Sequence, residues 1–166
     1  MTTRLQFDAN SAIPAATNGP SFTAFAGTNF PVVGLAFDAA GDETCYFYFR
    51  AKPYASGNVT ATIHWYADTA SSGDVIFGAA LAAITANTDT QDIETKAFAT
   101  ANTATDTHLG TTNQRLHSID ITISNLDSLA DADWVALKLY RDADAGGDTL
   151  TGDAVVVGLD LAFADV

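Results

Sequence analysis

The densest group of side chains that could do chemistry lies in the stretch that follows Arg141. Four acids, Asp142, Asp144, Asp148 and Asp153, stand at positions one, three, seven and twelve of this stretch. Calcium loops gather carboxylate oxygens at similar intervals along the chain. The spacing therefore predicts a candidate calcium site formed by these four aspartates.

The same stretch departs from a calcium loop in three ways. Position five is Gly146, the last acid is an aspartate instead of a bidentate glutamate, and the flanking segments have the pattern of strands instead of helices. The alternative is an acidic hairpin loop in which Arg141 pairs with one or two of the acids. Both interpretations stay open at this point.

Elsewhere the sequence contains none of the common catalytic motifs. It lacks a GxSxG elbow, an HExxH zinc motif, a Walker loop and a GxGxxG turn after a strand. The three histidines, His64, His108 and His117, lie in separate segments without the spacing of metal ligands. We therefore expect a protein that is not an enzyme and that needs no cofactor, the candidate calcium ion excepted.

Composition and charge limit the class of partner. The 166 residues suit one domain, and 48% of them are hydrophobic, enough for a sizeable core. The chain has 20 acidic and 7 basic residues, a formal net charge of −13, so it should repel nucleic-acid phosphates. No apolar run is long enough to cross a bilayer, and Cys45 is alone. We expect neither a nucleic-acid nor a membrane partner.

Strands must position any site on this chain. Alternation of apolar and polar residues, with turn residues between the runs, predicts an all-β fold, an antiparallel jelly-roll-like sandwich. Trp65 should be buried and its neighbour Tyr66 exposed, because successive strand residues face opposite ways. Only Gly78–Ala86 favours a helix by propensity. The clearest predicted strands are 30–37, 44–51, 58–67, 74–80, 115–124, 134–142 and 154–163.

The first 29 residues have a different pattern. They are rich in Ala, Thr, Asn, Gly and Pro, and they carry Phe7, Phe22 and Phe25 without a clear strand signal. Aromatic residues on a loose segment would be exposed in a monomer. We therefore predict an N-terminal arm (1–29) beside a sandwich domain (30–166), with these three phenylalanines in an interface.

Several motifs resemble those of a family of structural proteins of tailed bacteriophages. The resemblance covers about residues 30–165, and its motifs are strand ends and turns without catalytic content. The matching segments are Leu139–Asp144, Asp148–Ala154, Val156–Asp160, Phe49–Tyr54, Ile63–Ala67 and Ser72–Phe77.

The resemblance implies a place on the virion. It predicts a capsid decoration or cement protein on the capsid exterior, which clamps neighbouring major capsid subunits through multivalent contacts. The expected partners are the major capsid protein and further copies of the chain, as a homotrimer. The alternatives are a tail-fibre or receptor-binding domain and a carbohydrate-binding β-sandwich domain, because this fold hosts many functions.

Overall fold

The computed structural model describes residues 1–165, and it is built almost entirely of strands. A three-residue 3₁₀ turn, Ala9–Ser11, is the only helical segment among them. The strands are β1 (Thr2–Asp8), β2 (Ile13–Pro14), β3 (Ser21–Phe25), β4 (Val32–Phe37), β5 (Glu43–Arg50), β6 (Val59–Ala67), β7 (Asp74–Ile84), β8 (Asn102–Thr107), β9 (His117–Ile123), β10 (Trp134–Arg141) and β11 (Ala154–Ala164).

The strands form two antiparallel sheets. The first sheet has the order β3-β4-β11-β6-β9, and β1 also pairs with β11; the second has the order β2-β5-β10-β7-β8. Each of the seven strands predicted from the sequence is present. The predicted all-β antiparallel sandwich is therefore confirmed. No helix within residues 1–165 is long or apolar enough to span a membrane.

The core lies between the two sheets and follows the alternation of the strands. In β10, Val135, Leu137 and Leu139 are buried and face the first sheet, while Trp134 on the other face is exposed. Trp65 is fully buried, as predicted. Tyr66 is only 7% exposed, so the prediction that it faces solvent is wrong.

The N-terminal segment belongs to the sandwich. β1 pairs with β11 from Thr2 opposite Ala164 to Asp8 opposite Gly158. β2 pairs with β5, and β3 pairs with β4. The prediction of an extended arm at residues 1–29 is wrong, because backbone pairing with β11 compensates for the weak local strand signal. The Phe7 ring lies 5.6 Å from that of Phe47, so it packs on the core instead of forming an interface.

A buried ion pair fastens the end of β10. The Arg141 guanidinium is fully buried and binds Asp148 through two bonds, from Nη2 at 2.7 Å and from Nε at 3.0 Å. Its other donors reach the carbonyl oxygens of Phe37, Gly152 and Leu150. All five guanidinium donors are thus satisfied. The predicted pairing of Arg141 with a loop acid is confirmed.

Replacing Arg141 with methionine should destabilise the fold strongly. The substitution leaves the buried Asp148 carboxylate without its counter-charge, which typically costs about 3–5 kcal/mol. Urea denaturation should show this loss of unfolding free energy. In the control variant Arg50→Met the lost guanidinium is exposed, and its change should be far smaller. Equal denaturation midpoints for the two variants would contradict this account of the ion pair.

Two imidazoles pack beside Trp65 at one end of the core. The His117 ring lies 4.6 Å from both the Trp65 and the His108 rings. The backbone N–H of Leu109 donates to His117 Nε2 at 3.0 Å, so this nitrogen must lack a proton. Burial and the nearby His108 lower the pKa of His117, while Asp106 opposes the shift.

Acidification should therefore weaken the fold through His117. Because its folded-state pKa lies below the ordinary value of 6.5, the unfolded chain binds the proton more readily. Its contribution to stability is complete above pH 6.5 and is lost as the pH falls below that value. The variant His117→Gln keeps an acceptor but does not titrate, so its unfolding free energy should fall less than that of the wild type between about pH 7 and pH 5. Parallel pH profiles would refute this assignment.

Candidate functional site

The four aspartates predicted as a calcium site do not converge. Asp148 is held by Arg141 and also accepts a bond from the Ile76 backbone N–H at 3.0 Å. Asp153 lies apart, near Asp68 and Asp38, and its pKa is raised first by burial and then by those two acids. The predicted ligand set is therefore wrong for Asp148, which the ion pair engages, and for Asp153, which lies just before β11, whereas Asp142 and Asp144 do come together.

A different group of three acids does come together. Carboxylate oxygens of Asp42, Asp142 and Asp144 lie within 4.8 Å of one another. Asp42 was missed because it lies about 100 residues before the others, in the turn that leads into β5. The antiparallel pairing of β5 with β10 sets Glu43 opposite Arg141. Asp42, the residue before β5, therefore lies across from Asp142, the residue after β10.

This acidic cluster is electrostatically strained. The pKa of Asp142 is raised by burial first and by the charges of Asp42 and Asp144 next. The backbone N–H of Asp144 donates to Asp42 at 3.3 Å, which holds the two turns together. Carboxylate oxygens at this spacing are of the type that hard cations such as calcium prefer.

The outward face of the second sheet carries a row of large aromatic side chains. Tyr46 and Tyr48 of β5 point outward between the buried Phe47 and Phe49. Tyr48 lies opposite Ala136 of β10. Trp134, two residues before Ala136, is the first residue of β10 and points to the same outward face. Tyr48 is 59% exposed and Trp134 is 56% exposed. Two aromatic rings this open to solvent are unusual for a core-forming sheet.

Residues 85–101, between β7 and β8, fold back toward this row of aromatic side chains and face it across the sheet. The Phe98 ring stacks on Tyr46 with centroids 5.7 Å apart, and Lys96 forms an ion pair with Asp127 at 2.9 Å. The segment packs over the outward face of β7, where Ala80 and Ala82 are 2% and 5% exposed. Their small side chains let the segment approach the sheet closely.

The aromatic row and this segment are the two walls of a groove of about 480 Å³. Trp134 and Tyr48 flank one side, and residues 93–98 flank the other. Ala82 and Ala136 are also among the lining residues, and their short side chains leave the space open. Glu94 and Lys96 bring polar groups to a lining that is otherwise mainly apolar. We call this feature the aromatic groove.

A second depression, of about 680 Å³, continues from the aromatic groove at Tyr46, which lines both. It is lined by Lys138, Tyr140 and two acids of the cluster. The Lys138 ammonium lies 5.0 Å from the Tyr140 ring centroid. The Tyr140 ring occupies the space that a Cβ at Gly78 would fill, which explains the glycine. The sheet face thus changes from aromatic at one end to acidic at the other.

The predicted interface phenylalanines separate into two groups. Phe7 packs on the core, whereas Phe22 and Phe25 are 51% and 50% exposed on β3, an edge strand of the first sheet. Phe30, in the turn after β3, is 81% exposed. The exposure of Phe22 and Phe25 fits a contact surface.

The comparisons with known proteins show similarity in fold only. No protein-family model and no curated protein matches the chain. The chain is similar in structure to part of an isomalto-dextranase from Arthrobacter globiformis T6, which was solved in complex with panose. The match covers 95% of this chain and 23% of that one, with 15% identity and a TM-score of 0.59. It thus spans about a quarter of that chain.

Two further similar structures are carbohydrate-binding modules. The CBM22-1 xylan-binding domain of Xyn10C from Paenibacillus barcinonensis is 9% identical, with a TM-score of 0.51 over 98% of this chain and 94% of that one. A CBM28 module specific for non-crystalline cellulose is 7% identical, with a TM-score of 0.49 over 92% and 85%. The likeness to the isomalto-dextranase and to the xylan-binding domain, at 15% and 9% identity, supports a β-sandwich and no particular ligand.

Replacing Asp42 with asparagine should stabilise the protein slightly. The substitution removes one of three mutually repelling charges and keeps an oxygen that can accept the Asp144 N–H bond. The melting temperature should rise at low salt, and the rise should shrink at high salt because ions screen exposed charges. A lower melting temperature at low salt would show that the cluster is not repulsive.

Proposed function

We propose that this chain is a glycan-binding module whose aromatic groove holds sugar rings. The observation that carries the proposal is the pair of exposed rings, Tyr48 and Trp134, that flank a groove on the outward face of a sheet. Large aromatic side chains normally bury most of their area, and exposed ones in a groove mark a binding surface.

The chemistry of the groove suits a sugar. Pyranose rings present C–H groups on their faces, which pack on the electron-rich faces of aromatic rings. Their hydroxyl groups need polar partners, and Glu94 and Lys96 are among the residues that line the groove. Such a combination of a mainly apolar lining and a few polar groups is typical of small-molecule sites.

The groove is held in shape before any ligand arrives. Tyr48 and Trp134 stand on paired strands, and the opposite wall is fixed by the Phe98–Tyr46 stack and the Lys96–Asp127 ion pair. A preorganised site loses little conformational entropy on binding, so more of the contact energy appears as affinity. The sandwich fold of the xylan-binding domain supports the same architecture for this chain.

The capsid-decoration hypothesis stays a prediction from the sequence resemblance. Its major capsid partner, homotrimeric state and location on the virion exterior stay predictions with it, as does the absence of catalysis. Glycan binding corresponds to the alternative function that the sequence left open. The two are compatible, since a protein on a capsid exterior can also present a groove to a glycan.

Replacing Trp134 or Tyr48 with alanine should weaken glycan binding without unfolding the protein. Each ring is more than half exposed, so its loss removes ligand contact and little core packing. We expect at least about a tenfold loss of affinity per substitution, the size typical of a binding hot spot. Affinity electrophoresis through soluble polysaccharides such as xylan, dextran and mixed-linked glucan measures the loss.

The matched control is Phe30→Ala, which removes an aromatic ring that is 81% exposed and absent from the groove lining. Its binding should equal that of the wild type. The proposed function would be refuted if none of the polysaccharides retards the wild-type protein. It would also be refuted if the Trp134 and Tyr48 variants are retarded as much as the wild type.

A further inference from the structure

The edge strands of the two sheets differ in how they are protected. Natural proteins place charges, prolines or irregularities on exposed edges, because an open edge pairs readily with another strand. The edge strands β9 and β8 carry Asp120 and Asp106, and β1, which pairs only with β11, carries Arg4 and Asp8. β2 is two residues long and ends in Pro14.

β3 has none of these protective features. Its sequence, Ser-Phe-Thr-Ala-Phe, contains no charge and no proline, and it pairs with β4 in an unbroken register. Four of its five residues are exposed. On a chain with 20 acids, an uncharged and exposed edge is the place where a second copy can approach with least repulsion.

The strand is also complementary to itself. In an antiparallel pair of two β3 strands centred on Thr23, Ser21 lies opposite Phe25 and Phe22 lies opposite Ala24. Each phenylalanine therefore lies beside a small residue of the other copy that points to the same face of the sheet. Phe22 and Phe25 themselves point to opposite faces, because they are three residues apart on the strand. Directly opposed side chains are the main contacts between strands, and a large residue against a small one packs without a clash.

We propose that β3 joins two copies of this chain into a two-fold dimer through one continuous first sheet, in place of the homotrimer that the sequence resemblance implies. The pairing forms roughly four to six backbone hydrogen bonds and covers part of the exposed surface of Phe22 and Phe25. The contact is isologous, so it closes after two copies. Because both copies carry a charge of −13, the dimer should strengthen as salt screens their repulsion.

The symmetry has a consequence that rests on the proposed function. A two-fold axis in a continuous antiparallel sheet is perpendicular to that sheet, so both second sheets lie on the same side of it. Their outward faces, and hence both aromatic grooves, point toward the same side. The dimer would thus engage a glycan surface with two grooves at once, which raises the apparent affinity.

Cysteine cross-linking tests the register directly. Opposed Thr23 residues would have Cα atoms about 4.5–5.5 Å apart, within the range of a disulfide. Thr23→Cys should therefore form a covalent dimer under mild oxidation. Ser21→Cys is the matched control, since its two copies would lie about 13 Å apart and should not cross-link. The native Cys45 is buried with its pKa raised to about 12, so it should not interfere.

The second test measures mass in solution. Sedimentation equilibrium of the wild type should show a monomer–dimer equilibrium that shifts toward dimer with concentration and salt. Thr23→Lys places a charge at the centre of the contact and should leave only monomer with an unchanged circular dichroism spectrum. Thr105→Lys, the same change on the exposed edge of β8, should keep the dimer.

The proposal would be overturned if the wild type is monomeric at all concentrations or forms a trimer. It would also be overturned if the dimer survives Thr23→Lys, or if both cysteine variants cross-link equally. Glycan binding is scored separately. Thr23→Lys should bind a short soluble oligosaccharide as the wild type does and lose affinity only for a glycan-coated surface. If the groove does not bind glycans, the mass and cross-linking results still decide the dimer.

Discussion

The buried pair of Arg141 and Asp148 is the constraint on which one end of the outward face of the second sheet depends. Burying two charges costs free energy unless their hydrogen-bonding groups are satisfied, and here all five guanidinium donors have acceptors. The pair joins the end of β10 to β4 and to the acidic loop. Because Arg141 points inward, its neighbours Tyr140 and Asp142 point outward. The ion pair thereby sets the end of the sheet face where the acidic cluster lies.

Local pattern predicted the central strands, and tertiary pairing explains those it missed. β5, β10 and β11 have clear alternation and were predicted nearly to their ends. β3 and β8 are rich in small or polar residues, and pairing with β4 and β7 holds them as strands. The helical propensity of Gly78–Ala86 is overridden in the same way, because β7 lies between β10 and β8.

The candidate site was less accessible to sequence reasoning, because its contacts join distant parts of the chain. Spacing along one loop suggested four ligands, yet strand pairing brings in Asp42, and the ion pair engages Asp148. The aromatic row left a readable signal, since Tyr46 and Tyr48 alternate with Phe47 and Phe49. The opposite wall left none, because the stack of Phe98 on Tyr46 depends on how residues 85–101 fold back.

The small residues on the outward face of the second sheet connect these features. Gly78, Ala80, Ala82 and Ala136 are poor strand formers, and a sheet that only had to be stable would favour larger side chains there. Gly78 makes room for the Tyr140 ring, Ala80 and Ala82 admit the covering segment, and Ala136 leaves space between the walls. Local preference and global structure conflict at these positions, a conflict expected where a protein gives up stability for a binding surface. Two of these small residues, Ala82 and Ala136, line the aromatic groove itself, and the other two make room for the side chains and the segment beside it, so the weakest strand formers of this face lie where the proposed glycan site needs space.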